Sequence, residues 1–100
     1  MPKIALSVAH NLSQEEAKSR IAGLLADARA RFGGRVTNVA ESWNGFVDAF
    51  SFEALGFAVS GQVDVQSAQV RIELNLPWAA IPLKGRIESE ILTHAQQLLA

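Results

Sequence analysis

Two histidines, one oddly placed aspartate and two tryptophans are the residues best equipped for chemistry or recognition in this 100-residue chain. His10 closes a short alternating run, and His94 lies in the last apolar-periodic stretch. No His-x-x-x-His or Glu-x-x-His spacing joins either to a second ligand, so no short-range metal site is expected. His10 reads as a packed, hydrogen-bonding side chain, with catalysis as the competing role. His94 flanks its helical stripe and reads as a surface or interface residue. Asp48 falls among Phe46, Phe50 and Phe52 on one parity of a strand. A buried carboxylate there would be costly without donors. It is either a general acid or ligand-orienting group, or a residue at a sheet edge meeting water or a backbone N–H.

The remaining chemistry is thin. Cysteine is absent, which removes disulfides, thiolate nucleophiles and thiolate metal sites. No serine occupies a Gly-x-Ser-x-Gly elbow, and the glycines belong to turns rather than to a phosphate-cradling loop. Neither a cofactor nor a catalytic residue is assigned, and a non-enzyme is favoured over an enzyme. Trp43 and Trp78 adjoin a turn and a proline, where an indole can pack apolar area and donate a hydrogen bond. They are candidate partner or ligand contacts, together with His10 and Asp48. Arg29, Arg31 and Arg35 cluster at the end of the first helix, where the helix dipole already favours cations. Nine Lys plus Arg against ten Asp plus Glu give a formal net charge of −1 and no long-range pull on nucleic acid.

These side chains must be held by a small α+β domain spanning residues 1–100. Ile4, Leu6, Val8 and His10 share one parity of a first strand. Ser13 and Glu16 read as a capping box, after which Ala17, Ile21, Leu24, Ala28 and Phe32 follow a helical stripe to Gly33-Gly34. From Val36 the period becomes two. Asn44-Gly45, Leu55-Gly56 and Gln66-Ser67-Ala68 mark turns between four further strands. Phe57 to Val65 and Val70 to Leu76 alternate cleanly, whereas the inner face of the strand carrying Glu41 and Trp43 is ambiguous. Pro77 ends the last strand, and the connector through Pro82 and Leu83 has no assignable conformation. Ile87, Ile91, Ala95 and Leu98 form a second helical stripe. The expected order is β-α-β-β-β-β-α, a mostly antiparallel five-stranded sheet with two helices on one face. Such a sheet leaves edges, and a homodimer is one way to protect them. The opening apolar run is too short for a signal peptide and no stretch could span a bilayer, so a cytoplasmic protein is expected.

Several segments together resemble the polyhydroxyalkanoic acid system protein family, also called the polyhydroxyalkanoate granule-region family. They are the run from His10 to Ala17, Phe32-Gly33, Trp43-Asn44-Gly45, Phe50-Ser51-Phe52, Gly61 to Val65, Val70 to Trp78 and Lys84 to Glu88. The resemblance covers nearly the whole chain and implies an accessory role in bacterial polyhydroxyalkanoate storage or utilisation. It also implies the polymer granule, or a granule-associated protein, as partner. Family members commonly carry an acidic residue closer to the glycine of the Trp-x-Gly segment. Here Phe46-Val47 intervene before Asp48, and the resemblance transfers no role to it. The residues themselves leave two alternatives open: a small lipid-like ligand-binding protein or enzyme with His10 and Asp48 in one pocket, and a structural homodimer module.

Overall fold

The computed structural model describes residues 3–24, 26–27, 30, 36–54 and 56–100. Strand β1 (Lys3–Ala9) leads into helix α1 (Gln14–Ile21), followed by β2 (Val36–Asn44), β3 (Val47–Ala54), β4 (Phe57–Val65) and β5 (Gln69–Asn75). A 3₁₀ helix (Trp78–Leu83) then passes directly into α2 (Lys84–Leu99). The strands form one antiparallel sheet in the spatial order β1-β5-β4-β3-β2, so β1 and β2 are its edges. This is the expected α+β order, and the reason is local: three short turns force neighbouring strands to pair antiparallel.

The buried alternation of β1, β4 and β5 supplies one apolar face. Ile4, Val65, Val70, Ile72, Leu74 and Leu76 are its most fully enclosed large side chains. Each such side chain contributes about 1.5–3 kcal/mol by leaving water. Helix α2 packs over β1, α1 reaches β4, and the two helices touch each other. Ala17, Ile21, Ala95 and Leu99 are their buried contributions, and Leu24, Ile87 and Ile91 pack half-buried at the margin.

Three local expectations are corrected. The first helix is not continuous: Ala22 caps α1, Gly23 follows in a turn, and helical backbone resumes at Leu24. The resumed turn is anchored by the Asp27 N–H donating to the Gly23 carbonyl at 2.9 Å. The Gly33-Gly34 stop, Phe32 and the arginine cluster lie outside the described residues. Only half of the capping box forms, because the Glu16 N–H donates to Ser13 Oγ while the Glu16 carboxylate accepts from Arg20 instead. The β2–β3 turn is also displaced by one residue. Asn44 pairs with Val47, leaving Gly45 and Phe46 as the loop, with Gly45 at φ 63°. A first loop position with positive φ is where glycine is needed in a type II′ hairpin. The connector after Pro77, unassignable from the sequence, is a 3₁₀ helix with Pro82 inside it.

Candidate functional site

Asp48 sits on the covered face of β3, opposite Trp43 on β2 and Val63 on β4. The row continues through Ile72 and Leu6, so a carboxyl lies in register with the centre of the core. Only 3% of Asp48 is exposed, and its Oδ1 is buried without a hydrogen-bond partner. Contact with water at a sheet edge is therefore ruled out, whereas the backbone N–H of that alternative is present, supplied by Ser42. Sheet pleating forces this outcome: Asp48 shares parity with Phe50, which the core requires, and period two leaves it no other face. Phe50 stacks with Phe52 at 6.0 Å between ring centroids, so the same face of β3 continues beyond Asp48 as apolar rings.

Burial pushes the Asp48 carboxyl up to about 7, aided by a hydrogen bond with the Glu41 side chain and by repulsion from Glu41. The Ser42 backbone N–H acts in the opposite direction. Burial and the neighbouring Glu41 side chain thus let Asp48 hold its proton up to about 7. A carboxyl held this way can donate or accept a proton near neutral pH. Glu41 was not singled out from the sequence. Its parity with Trp43 was visible there, but the face of β2 was not.

Trp43 is half-buried under Lys18 from α1. The Lys18 ammonium lies 5.0 Å from the Trp43 ring centroid and 5.5 Å from that of Phe46. It also donates to the Gly45 carbonyl at 2.7 Å. This clasp ties helix α1 to the β2–β3 hairpin and combines a cation–π contact with a charge-assisted hydrogen bond. Trp43 is consequently occupied by its own chain.

His10 is likewise engaged. Its Nδ1 accepts from the Leu12 N–H at 3.1 Å, which leaves Nε2–H to donate to the Gln66 carbonyl at 3.0 Å. Both ring nitrogens are satisfied in one neutral tautomer, joining the end of β1 to the β4–β5 turn. An open cleft of about 440 Å³ beside His10 runs between residues 7–12 and the end of α2 at Gln96 and Leu99. His10 and Asp48 do not converge. Their strands are three steps apart in the sheet, roughly 14 Å at the usual spacing. His94 Nε2 meets Asp27 Oδ2 at 3.1 Å and bridges α2 to the helical backbone beyond Gly23.

Trp78 stands at the opposite end of the sheet from His10, after β5 has ended. It is 68% exposed, and Ile81 is 44% exposed. The 3₁₀ helix explains the pair. Residues three apart eclipse in that geometry, so Ala80 and Leu83 turn inward while Trp78 and Ile81 share the outer side. Pro77 starts the segment, its carbonyl accepting from the Ala80 N–H at 3.0 Å. Ile81 had no role in the sequence reading because the connector could not be assigned. Among the described residues, no three or more His, Asp or Glu side chains are grouped to hold a metal ion. No helix among them is long and apolar enough to cross a membrane.

Comparison with known proteins gives one family. The family described as "Putative polyhydroxyalkanoic acid system protein" matches residues 4–99. No curated protein matches the chain. A solved structure, the crystal structure of TTHA0849 from Thermus thermophilus, aligns at TM-score 0.38 and 10% identity, covering 98% of this chain and 92% of that one.

Proposed function

Because the chain belongs to the polyhydroxyalkanoic acid system protein family, we propose that it is a non-enzymatic accessory protein that attaches to the polyhydroxyalkanoate granule. The exposed pair Trp78 and Ile81 carries this reading. An indole and a branched aliphatic chain on one side of a short rigid helix suit a polyester surface, which offers methylene groups and ester carbonyls. The ring can bury apolar area while its N–H donates to a carbonyl. A patch of this kind, ungrouped with any nucleophile or metal ligand among the described residues, suits attachment better than turnover. In this reading the 100 residues act as one domain, in the cytoplasm at the granule, and the working form is a homodimer.

Replacing Trp78 and Ile81 together by alanine tests the attachment. The double variant should keep its circular dichroism spectrum, since both side chains are exposed, and lose at least about tenfold in recovery on isolated granules. Unchanged recovery of a folded variant overturns granule attachment through this patch. Turnover of polymer or hydroxyacyl thioester by the purified protein would overturn the non-enzymatic assignment.

A further inference from the structure

The two sheet edges are finished differently. On β2 the register shifts between Thr37 and Ala40, Asn38 takes φ 52°, and its side-chain amide donates to Glu53 at 2.9 Å. A bulge of this kind blunts an edge against further pairing. Strand β1 has no such device. All seven of its residues pair with β5 in unbroken register, and its single charge is Lys3 at one end.

Backbone directions on β1 follow from one hydrogen bond. The His10 N–H donates to the Ala68 carbonyl at 3.0 Å, so it points toward the β5 side. Amide and carbonyl directions alternate along an antiparallel strand, so Val8, Leu6 and Ile4 also serve β5. The N–H and C=O groups of Lys3, Ala5, Ser7 and Ala9 therefore face away from the sheet. All four residues are exposed, and among the described residues no side chain or second strand bonds to their backbone. Beside Ser7 and Ala9 lies an open cleft whose other wall is the end of α2 at Gln96 and Leu99.

We propose that this edge pairs with the same edge of a second copy, joining two sheets into one antiparallel ten-stranded sheet. The sequence is self-complementary for that arrangement. With the two-fold axis at Leu6, Ala5 faces the partner's Ser7, and Lys3 faces the partner's Ala9. Every outward-facing backbone group of β1 is then paired, and no like charges meet. Three small side chains, Ala5, Ser7 and Ala9, keep the helix-free face flat where the sheets join. This deepens the homodimer part of the proposed function and is independent of the granule contact.

Proline at Ser7 removes one outward N–H without touching the β1–β5 ladder, and proline is tolerated on a strand edge in that position. Light scattering of the unmodified protein at about 100 μM should give twice the chain mass, and Ser7→Pro should give the monomer mass with an unchanged circular dichroism spectrum. A second pair of variants serves if that proline disturbs folding. Ala5→Lys with Ser7→Lys places like charges opposite each other across the axis and should be monomeric. Mixing it with Ala5→Glu plus Ser7→Glu should restore the dimer mass as a heterodimer, because like-charge pairs become opposite-charge pairs. A monomeric unmodified protein overturns both the edge and the homodimer. A dimer that persists in Ser7→Pro and in both charged variants overturns the edge alone, while granule recovery decides attachment separately.

Discussion

At the scale of residues, Asp48 is the position where the fold works against ordinary ionisation. The folded carboxyl keeps its proton to about 7, whereas the ordinary value for an aspartate is 3.8. Between those values the folded chain binds more protons than the unfolded chain, so stability falls as pH rises through that window. Below it both states are protonated, and above it both are charged with the folded state carrying the penalty. Asp48→Asn keeps the shape and leaves an amide that can donate to Glu41. It should raise stability at pH 8 by about 1–3 kcal/mol and have little effect at pH 4. Urea unfolding at the two pH values checks this. Equal pH slopes for variant and unmodified protein would mean that Asp48 does not hold the proton. His10 shows the contrasting case, a polar side chain on the same covered face with both ring nitrogens bonded.

At the scale of elements, β4 depends on a glycine in its middle. A Cβ at Gly61 would collide with the Glu73 carbonyl on β5 and lie 2.9 Å from Phe50 Cζ and 3.0 Å from Leu74 Cδ2. The Phe50 ring is thus seated over the missing side chain, in register across β3, β4 and β5. Gly61→Ala should destabilise the protein by at least about 2 kcal/mol, because a backbone carbonyl cannot swing aside as a flexible side chain would. A midpoint in urea within about 0.2 M of the unmodified protein would show that the sheet adjusts freely there. The 3₁₀ helix illustrates the same dependence on local geometry. Its threefold period, rather than the 3.6 of an α-helix, aligns Trp78 with Ile81.

At the scale of the whole molecule, charge is nearly balanced and the candidate contact is apolar. A formal net charge of −1 gives no long-range field toward an anionic or cationic surface. The ion pairs between Lys3 and Glu73, Arg20 and Glu16, and Arg86 and Glu90 are surface pairs within the chain. Exposed pairs of this kind contribute little. Granule recovery should therefore change less than about twofold between about 50 mM and about 500 mM salt, over which screening shortens from about 14 to about 4 Å. A steep loss across that range would assign attachment to charge instead of Trp78 and Ile81.

The sequence by itself determined the element order, the antiparallel sheet and the inward parity of β1, β4 and β5, because alternation and short turns are local properties. It also placed Asp48 on the same face as Phe50. What it left open were features set by contacts between distant residues. The face of β2 depended on its register with β3, so Glu41 could not be matched to Asp48 until Trp43 was seen opposite that residue. The break at Ala22–Gly23 was hidden by an apolar stripe that continues in the sequence across it. His10 and Asp48 looked like potential partners only until the strand order put β5 and β4 between them. Tertiary structure alone decided which tryptophan faces solvent. Trp43 meets a lysine brought over by α1, whereas Trp78 follows the end of β5 on a 3₁₀ turn whose buried anchor is the small Ala80. Periodicity assigns a side chain to a face, but burial depends on what the rest of the chain places over that face.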